Sequence, residues 1–164
     1  MSTLSIRQYG DAVLRHATKE IDNIDGAVAK LAEDMLETMY AASGVGLAAN
    51  QVGVQRRMFV YDTGGGPVVV VNPVIVETSG EWSYEEGCLS VPGLSWPIVR
   101  PNVVHLVGLD LEGNQLSIEA DELEGRAFQH EVDHLDGRLL IERLDDERRR
   151  AAKVTLRERL APEL

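Results

Sequence analysis

This sequence lacks long apolar stretches, a second cysteine and the pattern of a secretory signal. No apolar run approaches the roughly 18 residues that a membrane-spanning helix needs. Cys88 is the only cysteine, so an internal disulfide is excluded. The first ten residues lack a basic segment followed by an apolar stretch, which is the pattern of a secretory signal. Together these absences predict a cytoplasmic protein.

Basic residues are scarce relative to acidic ones. The chain has 16 Lys and Arg against 27 Asp and Glu, a formal net charge of −11. Proteins that bind nucleic acid need a basic surface to contact the phosphates, and this acidic chain lacks an excess of basic residues. We therefore expect no direct sequence-specific nucleic-acid binding. The glycine-rich stretch 44–53 is not followed by Gly-Lys-Ser/Thr, which excludes a phosphate-binding loop of that type.

The length and pattern of the chain favour one domain over residues 1–164. A chain of 164 residues can bury a sizeable core, and no linker, internal repeat or low-complexity segment interrupts it. Residues 145–160 are highly charged and predict a peripheral C-terminal helix, with Leu144, Val154, Leu156 and Leu160 as its apolar contacts.

Helical and strand patterns both occur along the chain. Asp22 or Asp25 can cap a helix that runs to about Ala42. Strands are predicted at 58–61, at 68–76 and at 103–110, and a turn joins the last of these to a strand at 115–119. Asn72-Pro73 interrupts the second strand, which indicates an edge strand or a bend. We therefore predict an α+β fold with antiparallel or mixed sheets around a central helix near residues 121–137.

That central helix carries the pattern His-Glu-x-x-His. His130 and His134 are four residues apart, so on a helix their imidazoles project from one face. Two neutral imidazoles can bind a divalent metal, and Glu131 beside them can act as a general base. By itself the pattern also fits a solvated helix with two unrelated histidines.

A catalytic metal usually has three protein ligands, and Cys88 is the best remaining candidate. A lone cysteine is most often a small buried apolar residue, but Gly87 precedes this one and a Pro-Gly turn follows it. A thiolate here would complete a Cys-His-His site with one open position. Gln51 is the polar group in an otherwise apolar loop, so we expect it to have a specific partner.

Three segments resemble the signature motifs of the peptide deformylase family. They are residues 44–51 (GVGLAANQ), 86–90 (EGCLS) and 129–134 (QHEVDH), and they follow in the order that the family shows. Residues 6–15 are also similar to the family's N-terminus, so the resemblance covers about residues 6–144. Ala12, Glu124 and Gly125 depart from the residues that are usual in the family, but none of them is a motif position.

The resemblance implies the removal of the formyl group from the N-terminal formyl-methionine of new bacterial polypeptides. It makes Cys88, His130 and His134 the metal ligands and Glu131 the general base. It assigns stabilisation of the negatively charged formyl oxygen to the Gln51 amide and to the backbone N–H of Leu89. The substrate would contact Gly44, Val45, Gly46, Gly87, Leu123 and Ala127. The motif positions also suggest an ion pair between Glu86 and Arg100.

The same resemblance suggests Fe²⁺ as the metal, with Zn²⁺, Ni²⁺ or Co²⁺ able to take its place. A formyl-methionyl nascent chain would be the substrate, and the C-terminal helix could dock on the ribosome. The alternative is a zinc metalloprotease, which shares His-Glu-x-x-His. One protease type needs a third histidine at position 140, where this chain has Leu140, and another needs a downstream glutamate, for which Glu158 is the candidate.

Overall fold

The computed structural model describes residues 2–160. Three α-helices and seven strands lie in that part of the chain, in the order α1 (Gly26–Ala41), β1 (Gly46–Ala48), β2 (Met58–Tyr61), β3 (Val68–Ser79), β4 (Trp82–Cys88), β5 (Val91–Arg100), β6 (Val103–Leu109), β7 (Gln115–Ala120), α2 (Glu122–Leu135) and α3 (Asp146–Arg159). Three 3-10 turns connect them, at Ala12–Arg15, Ala49–Val52 and Leu140–Arg143.

Within residues 2–160 the strands form two sheets, and every strand pair is antiparallel. The larger sheet has the order β1-β2-β3-β6-β7, and β4 and β5 form a separate hairpin. Helix α2 packs against the larger sheet through Phe128, Val132 and Leu135. The predicted α+β fold with antiparallel sheets is confirmed, and the mixed alternative is not needed.

The ends of α1 and α2 follow from their capping residues. The Asp25 side chain accepts a hydrogen bond from the Val28 N–H at 3.1 Å and begins α1. Asp121 precedes α2, and Gly137 beyond its end has φ +80°, a conformation that favours glycine. Gly125 has a packing role, because a Cβ there would lie 2.9 Å from the carbonyl oxygen of Ala120.

Strand β3 bends at Asn72-Pro73, as the sequence predicts, but it is not an edge strand. Its pairing with β6 shifts register between Val71 and Val74, and Asn72 has φ +52°. The Asn72 amide exchanges two hydrogen bonds with the backbone of Ile21, at 2.8 and 2.9 Å. The bend therefore lets an interior strand hold proline and fixes the N-terminal segment beside it.

Helix α3 covers the β4–β5 hairpin from outside. Leu156 and Ala152 are buried in a cluster that also contains Val91 and Ile98 of β5 and Leu144. Val154 is 54% exposed, so its predicted role as an apolar contact is wrong. Leu160 packs at the margin of the same cluster. The helix thus supports the hairpin whose first strand ends at Cys88.

Leu156→Ala is expected to lower the free energy of unfolding by about 2–5 kcal/mol, because it leaves a cavity in a fully buried cluster. Urea unfolding followed by circular dichroism would measure the change. Val154→Ala on the exposed side of the same helix is the control, and it should stay within about 0.5 kcal/mol of wild type. Equal effects of the two substitutions would contradict the assigned packing.

Candidate functional site

Three donor atoms converge where α2 faces the end of β4. The Cys88 sulfur lies 3.2 Å from His134 Nε2, which in turn lies 3.2 Å from His130 Nε2. All three donors lie within 4.8 Å of one another. The structure therefore brings together the predicted ligands, two from one helix face and one from the hairpin.

This donor set fits a divalent transition metal. A tetrahedral ion with metal–nitrogen bonds of about 2.1 Å holds two nitrogen donors about 3.4 Å apart, close to the spacing seen here. One thiolate and two imidazoles suit both iron and zinc. Three protein ligands are the usual number at a catalytic metal, which keeps a position open.

Electrostatics favour the ligand form of Cys88. Burial raises the pKa of the thiol, but the adjacent His134 and His130 side chains lower it more, so the pKa lies well below its usual value. The thiolate is the form of cysteine that binds metal. The two histidines therefore favour the thiolate form of Cys88, which is the form that can bind a metal.

The Glu86 carboxylate lies directly behind His130. Its Oε1 is 2.7 Å from His130 Nδ1 and accepts a hydrogen bond from Arg100 Nη2 at 2.8 Å, while Arg100 Nε donates to Oε2 at 3.1 Å. The predicted Glu86–Arg100 ion pair is confirmed. Burial raises the pKa of Glu86, but His130 and Arg100 lower it to about 2. The carboxylate is thus ionised and orients the ring, so that His130 Nε2 faces the other donors.

Asp133 extends this network to the far side of α2. Its carboxylate accepts hydrogen bonds from Arg100 Nη1 at 2.8 Å and from two nitrogens of Arg143, Nε at 2.9 Å and Nη2 at 2.6 Å. Burial raises the pKa of Asp133, but the two arginines lower it below its usual value. Charged side chains from β4, β5, α2 and the turn after α2 are therefore joined behind the three donor atoms.

Glu131 points into the cavity in front of the donors and is only 3% exposed. Its Oε1 is buried and has no hydrogen-bond partner among residues 2–160. Burial raises the pKa of Glu131, although His130 and His134 oppose the rise. A buried carboxylate with a free oxygen and a raised pKa is suited to take up and release a proton.

Gly46→Ala is expected to lower kcat by about 10- to 100-fold, because a Cβ at this position would overlap Glu131 Oε2 and displace the carboxylate. Metal content should stay near that of wild type, since the atoms nearest to a Cβ at Gly46 all belong to Glu131 and none to the three donor residues. Steady-state kinetics with a metal assay would test this. Gly65→Ala is the matched control, because a Cβ there meets nothing within 4 Å, and it should leave kcat unchanged. Wild-type kcat in Gly46→Ala would contradict the placement of Glu131.

The Gln51 amide is held at both ends in the buried loop beside Cys88. Its Oε1 accepts a hydrogen bond from the Ala48 N–H at 3.0 Å. Its Nε2 donates to Ser90 Oγ at 3.1 Å and lies 3.8 Å from the Cys88 sulfur. The Ser90 hydroxyl in turn donates to the Arg7 carbonyl at 2.7 Å. The expected specific partner of Gln51 is thus Ser90, and the amide lies beside the donor cluster.

A cavity of about 400 Å³ opens in front of the donors. Its lining includes Glu131, Gln51, Leu89 and every residue predicted to contact substrate: Gly44, Val45, Gly46, Gly87, Leu123 and Ala127. Tyr84, Leu94 and Arg126 also line the cavity, although the sequence analysis did not predict them as site residues. Val45, Leu123 and Ala127 give the lining an apolar part, which suits an apolar side chain.

Sequence reasoning missed Arg126, Asp133 and Ser90 as parts of the site. Arg126 is four residues before His130 and eight before His134, so it lies on the same face of α2 as both histidines. That spacing was the available signal, since a residue on the face that holds the metal ligands should be buried. Ser90 lies in the motif at 86–90 and Asp133 in the motif at 129–134, but the motifs gave neither residue a role in the site.

His105 and the protease candidate lie elsewhere. His105 Nε2 is 2.7 Å from Ser117 Oγ on the neighbouring strand, and His105 does not belong to the donor cluster. Glu158 is exposed on α3 and outside the cluster of donors, and Leu140 is buried in the turn after α2. Neither position completes a metalloprotease site.

No helix within residues 2–160 is long and apolar enough to cross a membrane.

Comparisons with known proteins agree with these features. The model of the family described as polypeptide deformylase matches residues 3–150. The peptide deformylase of Clostridium botulinum is 51% identical over 122 residues, which are 74% of this chain and 83% of that protein. The peptide deformylase of Neisseria gonorrhoeae is 43% identical over 162 residues, 97% of each chain.

A solved structure extends the similarity to three dimensions. The peptide deformylase of Ehrlichia chaffeensis in complex with actinonin superposes with a TM-score of 0.93 at 38% identity, covering 99% of this chain and 100% of that one. The peptide deformylase of Thermus thermophilus superposes with a TM-score of 0.88 at 42% identity, covering 94% of this chain and 93% of that one. The similarity therefore includes both sheets and all three helices.

Proposed function

This chain belongs to the peptide deformylase family, and on that premise we propose that Cys88, His130 and His134 bind the metal ion at which its reaction takes place. It is a hydrolase that removes the N-formyl group from nascent polypeptides. The convergence of one sulfur and two nitrogens at 3.2 Å spacings supports the metal assignment more than any other observation.

Cys88, His130 and His134 would hold a divalent cation, which would act as a Lewis acid toward the formyl carbonyl and would lower the pKa of the attacking water. Glu131 takes a proton from that water as the oxygen bonds to the formyl carbon, and its free Oε1 faces the cavity for this purpose. The same carboxyl then delivers the proton to the amine nitrogen as the carbon–nitrogen bond breaks. Formate and a free N-terminal amine are the products.

Negative charge develops on the formyl oxygen when water adds to the carbon. We assign its stabilisation to the side-chain amide of Gln51 and the backbone N–H of Leu89, which both line the cavity. The hydrogen bonds of Gln51 to Ala48 and Ser90 fix the amide in advance, so little reorganisation is needed during the reaction.

Selectivity for methionine would come from the apolar part of the cavity. Val45, Leu123 and Ala127 lie there with the backbone at Gly87. Gly44 and Gly46 bring the backbone of β1 close to the cavity, where it can pair with the substrate backbone. A formyl-methionyl chain would then lie between β1 and the β4–β5 hairpin with its formyl group toward Glu131.

We propose Fe²⁺ as the native metal, with Zn²⁺, Ni²⁺ or Co²⁺ able to replace it, because a thiolate with two imidazoles accepts all of these ions. The native ion would be identified by elemental analysis of protein purified without oxygen. Zinc alone at one equivalent in protein purified without oxygen would overturn the iron assignment while leaving the site intact.

The substrate also suggests where the protein works. A nascent formyl-methionyl chain is present only near the ribosome in the cytoplasm, so we propose that location and a contact between α3 and the ribosome. Arg150, Lys153 and Arg157 supply positive charge on that helix although the whole chain is acidic. Cosedimentation with ribosomes would test the contact. Its loss in Arg150→Glu/Arg157→Glu, with full activity retained on free peptide, would support it.

The proposed function is tested by formate release from formyl-Met-Ala-Ser by protein whose metal content has been assayed. Formate release that stops when a chelator removes the metal and returns with Fe²⁺ is the expected result. Metal-loaded protein that releases no formate but cleaves internal peptide bonds would instead support the metalloprotease alternative. Metal binding without either activity would leave only a binding role.

A further inference from the structure

Arg126 is a buried cation on the face of α2 that carries the metal ligands. It is only 2% exposed and lies one helical turn before His130. A guanidinium is costly to bury unless its hydrogen bonds are made and its charge is paired. The contacts that Arg126 makes therefore indicate its structural role.

One contact is with the carboxylate of Glu86. Arg126 Nη1 donates to Glu86 Oε2 at 3.1 Å, and Arg100 Nε donates to the same oxygen at 3.1 Å. The other oxygen, Oε1, accepts from Arg100 Nη2 and contacts His130 Nδ1. Because Oε2 is occupied by the two arginines, Oε1 is the oxygen that faces His130.

The second set of contacts is with the start of β4. Arg126 Nη2 donates to the backbone carbonyl of Trp82. The guanidinium carbon lies 5.5 Å from the centre of the Trp82 ring and 6.0 Å from that of Tyr84. These two rings stack on each other with centroids 5.0 Å apart. A cation near aromatic rings is attracted to them, so the pair helps to hold the guanidinium in place.

Arg126 thus joins α2 to β4 at two points, and Cys88 lies at the end of β4. Arg100 cannot make this connection alone, because it belongs to β5 and reaches α2 only through Asp133. The link from Arg126 to Glu86 adds to the direct contact of His130 with Glu86, and the two together set the distance between the helix with two donors and the strand with the third.

We infer that Arg126 is a positioning residue for the metal site, which fixes β4 and Cys88 relative to His130 and His134 through Glu86. This inference rests on the proposed function, because it needs those three residues to be ligands. It predicts an effect on metal affinity and on ligand geometry. A residue that only formed the cavity wall would instead change KM for peptide and leave metal affinity unchanged.

The test compares Arg126→Met with Arg57→Met. Arg57 is also mostly buried, with 16% of its side chain exposed, and it binds the Pro73 carbonyl and Asp136 without touching Glu86. Zinc affinity would be measured by competition with a coloured chelator. We expect Arg126→Met to weaken zinc binding by about 10- to 100-fold, the usual effect of losing a residue that orients a ligand, while Arg57→Met stays within about threefold of wild type.

The visible spectrum of the cobalt(II)-substituted proteins gives a readout that is independent of turnover. A shift of the absorption bands in Arg126→Met, but not in Arg57→Met, would show altered ligand geometry. If Arg126→Met does not fold, Arg126→Lys replaces it, since a lysine keeps the charge but cannot reach Glu86 and the Trp82 carbonyl together. We expect it to weaken zinc binding by at least about fivefold.

Failure of this inference is distinguishable from failure of the proposed function. Wild type that binds no metal through Cys88, His130 and His134 would overturn the proposed function and the inference with it. Wild type that binds metal and releases formate, with zinc affinity and cobalt spectrum unchanged in the Arg126 variant, would overturn only the role of Arg126. A rise in KM alone would assign Arg126 to the cavity wall.

Discussion

Glu131→Gln is expected to bind metal as wild type does and to release formate about 10²- to 10⁴-fold more slowly. The amide fills the same space in the cavity but cannot accept the proton that the carboxylate takes from water. This loss corresponds to about 3–5 kcal/mol of barrier height. The loss should appear in kcat, because the role we propose for Glu131 is at the reacting atoms and not at the methionine side chain.

Steady-state kinetics on protein with assayed metal would measure that effect. Glu124→Gln is the matched control, since Glu124 lies on the same helix but accepts a hydrogen bond from Tyr61 OH at 3.1 Å and does not line the cavity. The control should keep kcat within about threefold of wild type. If Glu131→Gln also kept wild-type kcat with full metal, another group would have to be the base.

Cys88→Ser is expected to lose measurable formate release together with most of its metal affinity. A hydroxyl stays protonated where the thiol, whose pKa the two histidines lower, is a thiolate. Loss of a residue that only orients a ligand already weakens metal binding about 10- to 100-fold. Loss of the ligand atom itself should therefore weaken metal binding by more than about 100-fold. Metal competition and formate release on the same preparation would measure both losses.

The serine variant should still fold, which separates this result from general damage. Cys88 packs only at the margin of the cluster under α3, and its replacement exchanges a sulfur atom for a smaller oxygen. Thermal unfolding of metal-free wild type and metal-free Cys88→Ser should therefore be similar. Stoichiometric, tightly held metal in Cys88→Ser would contradict the assignment of the third ligand.

Local signals predict much of this fold from the sequence. The Asp25 side chain caps the start of α1, and Gly137 follows the end of α2 in a left-handed conformation, because such positions have strong residue preferences. The turn between β6 and β7 is equally local. The β4–β5 hairpin was not predicted, since glycines and prolines in it resemble a loop and its buried residues Val91 and Ile98 pack with residues of α3, which lie much later in the chain.

The site likewise contains residues that the sequence predicts and residues that it does not. Cys88, His130 and His134 were predicted because metal binding requires particular residue types at a particular spacing. Arg126 and Asp133 were not, because charged residues on a helix usually face solvent, and their burial depends on partners 40 and 33 residues away, Glu86 and Arg100. Interactions of that range are a property of the folded chain and have no short pattern.

The packing of α3 on the β4–β5 hairpin has a consequence for synthesis of the chain. Val91 and Ile98 are covered by Ala152 and Leu156, and Arg159 Nη1 donates to the Pro92 carbonyl at 3.4 Å, beside the cavity rim at Gly93. These covering residues follow all three donor residues in the chain and are translated after them. A growing molecule therefore contains all three donor atoms before the outer support of the hairpin exists, and the hairpin beside its own site gains that support only after helix α3 has left the ribosome.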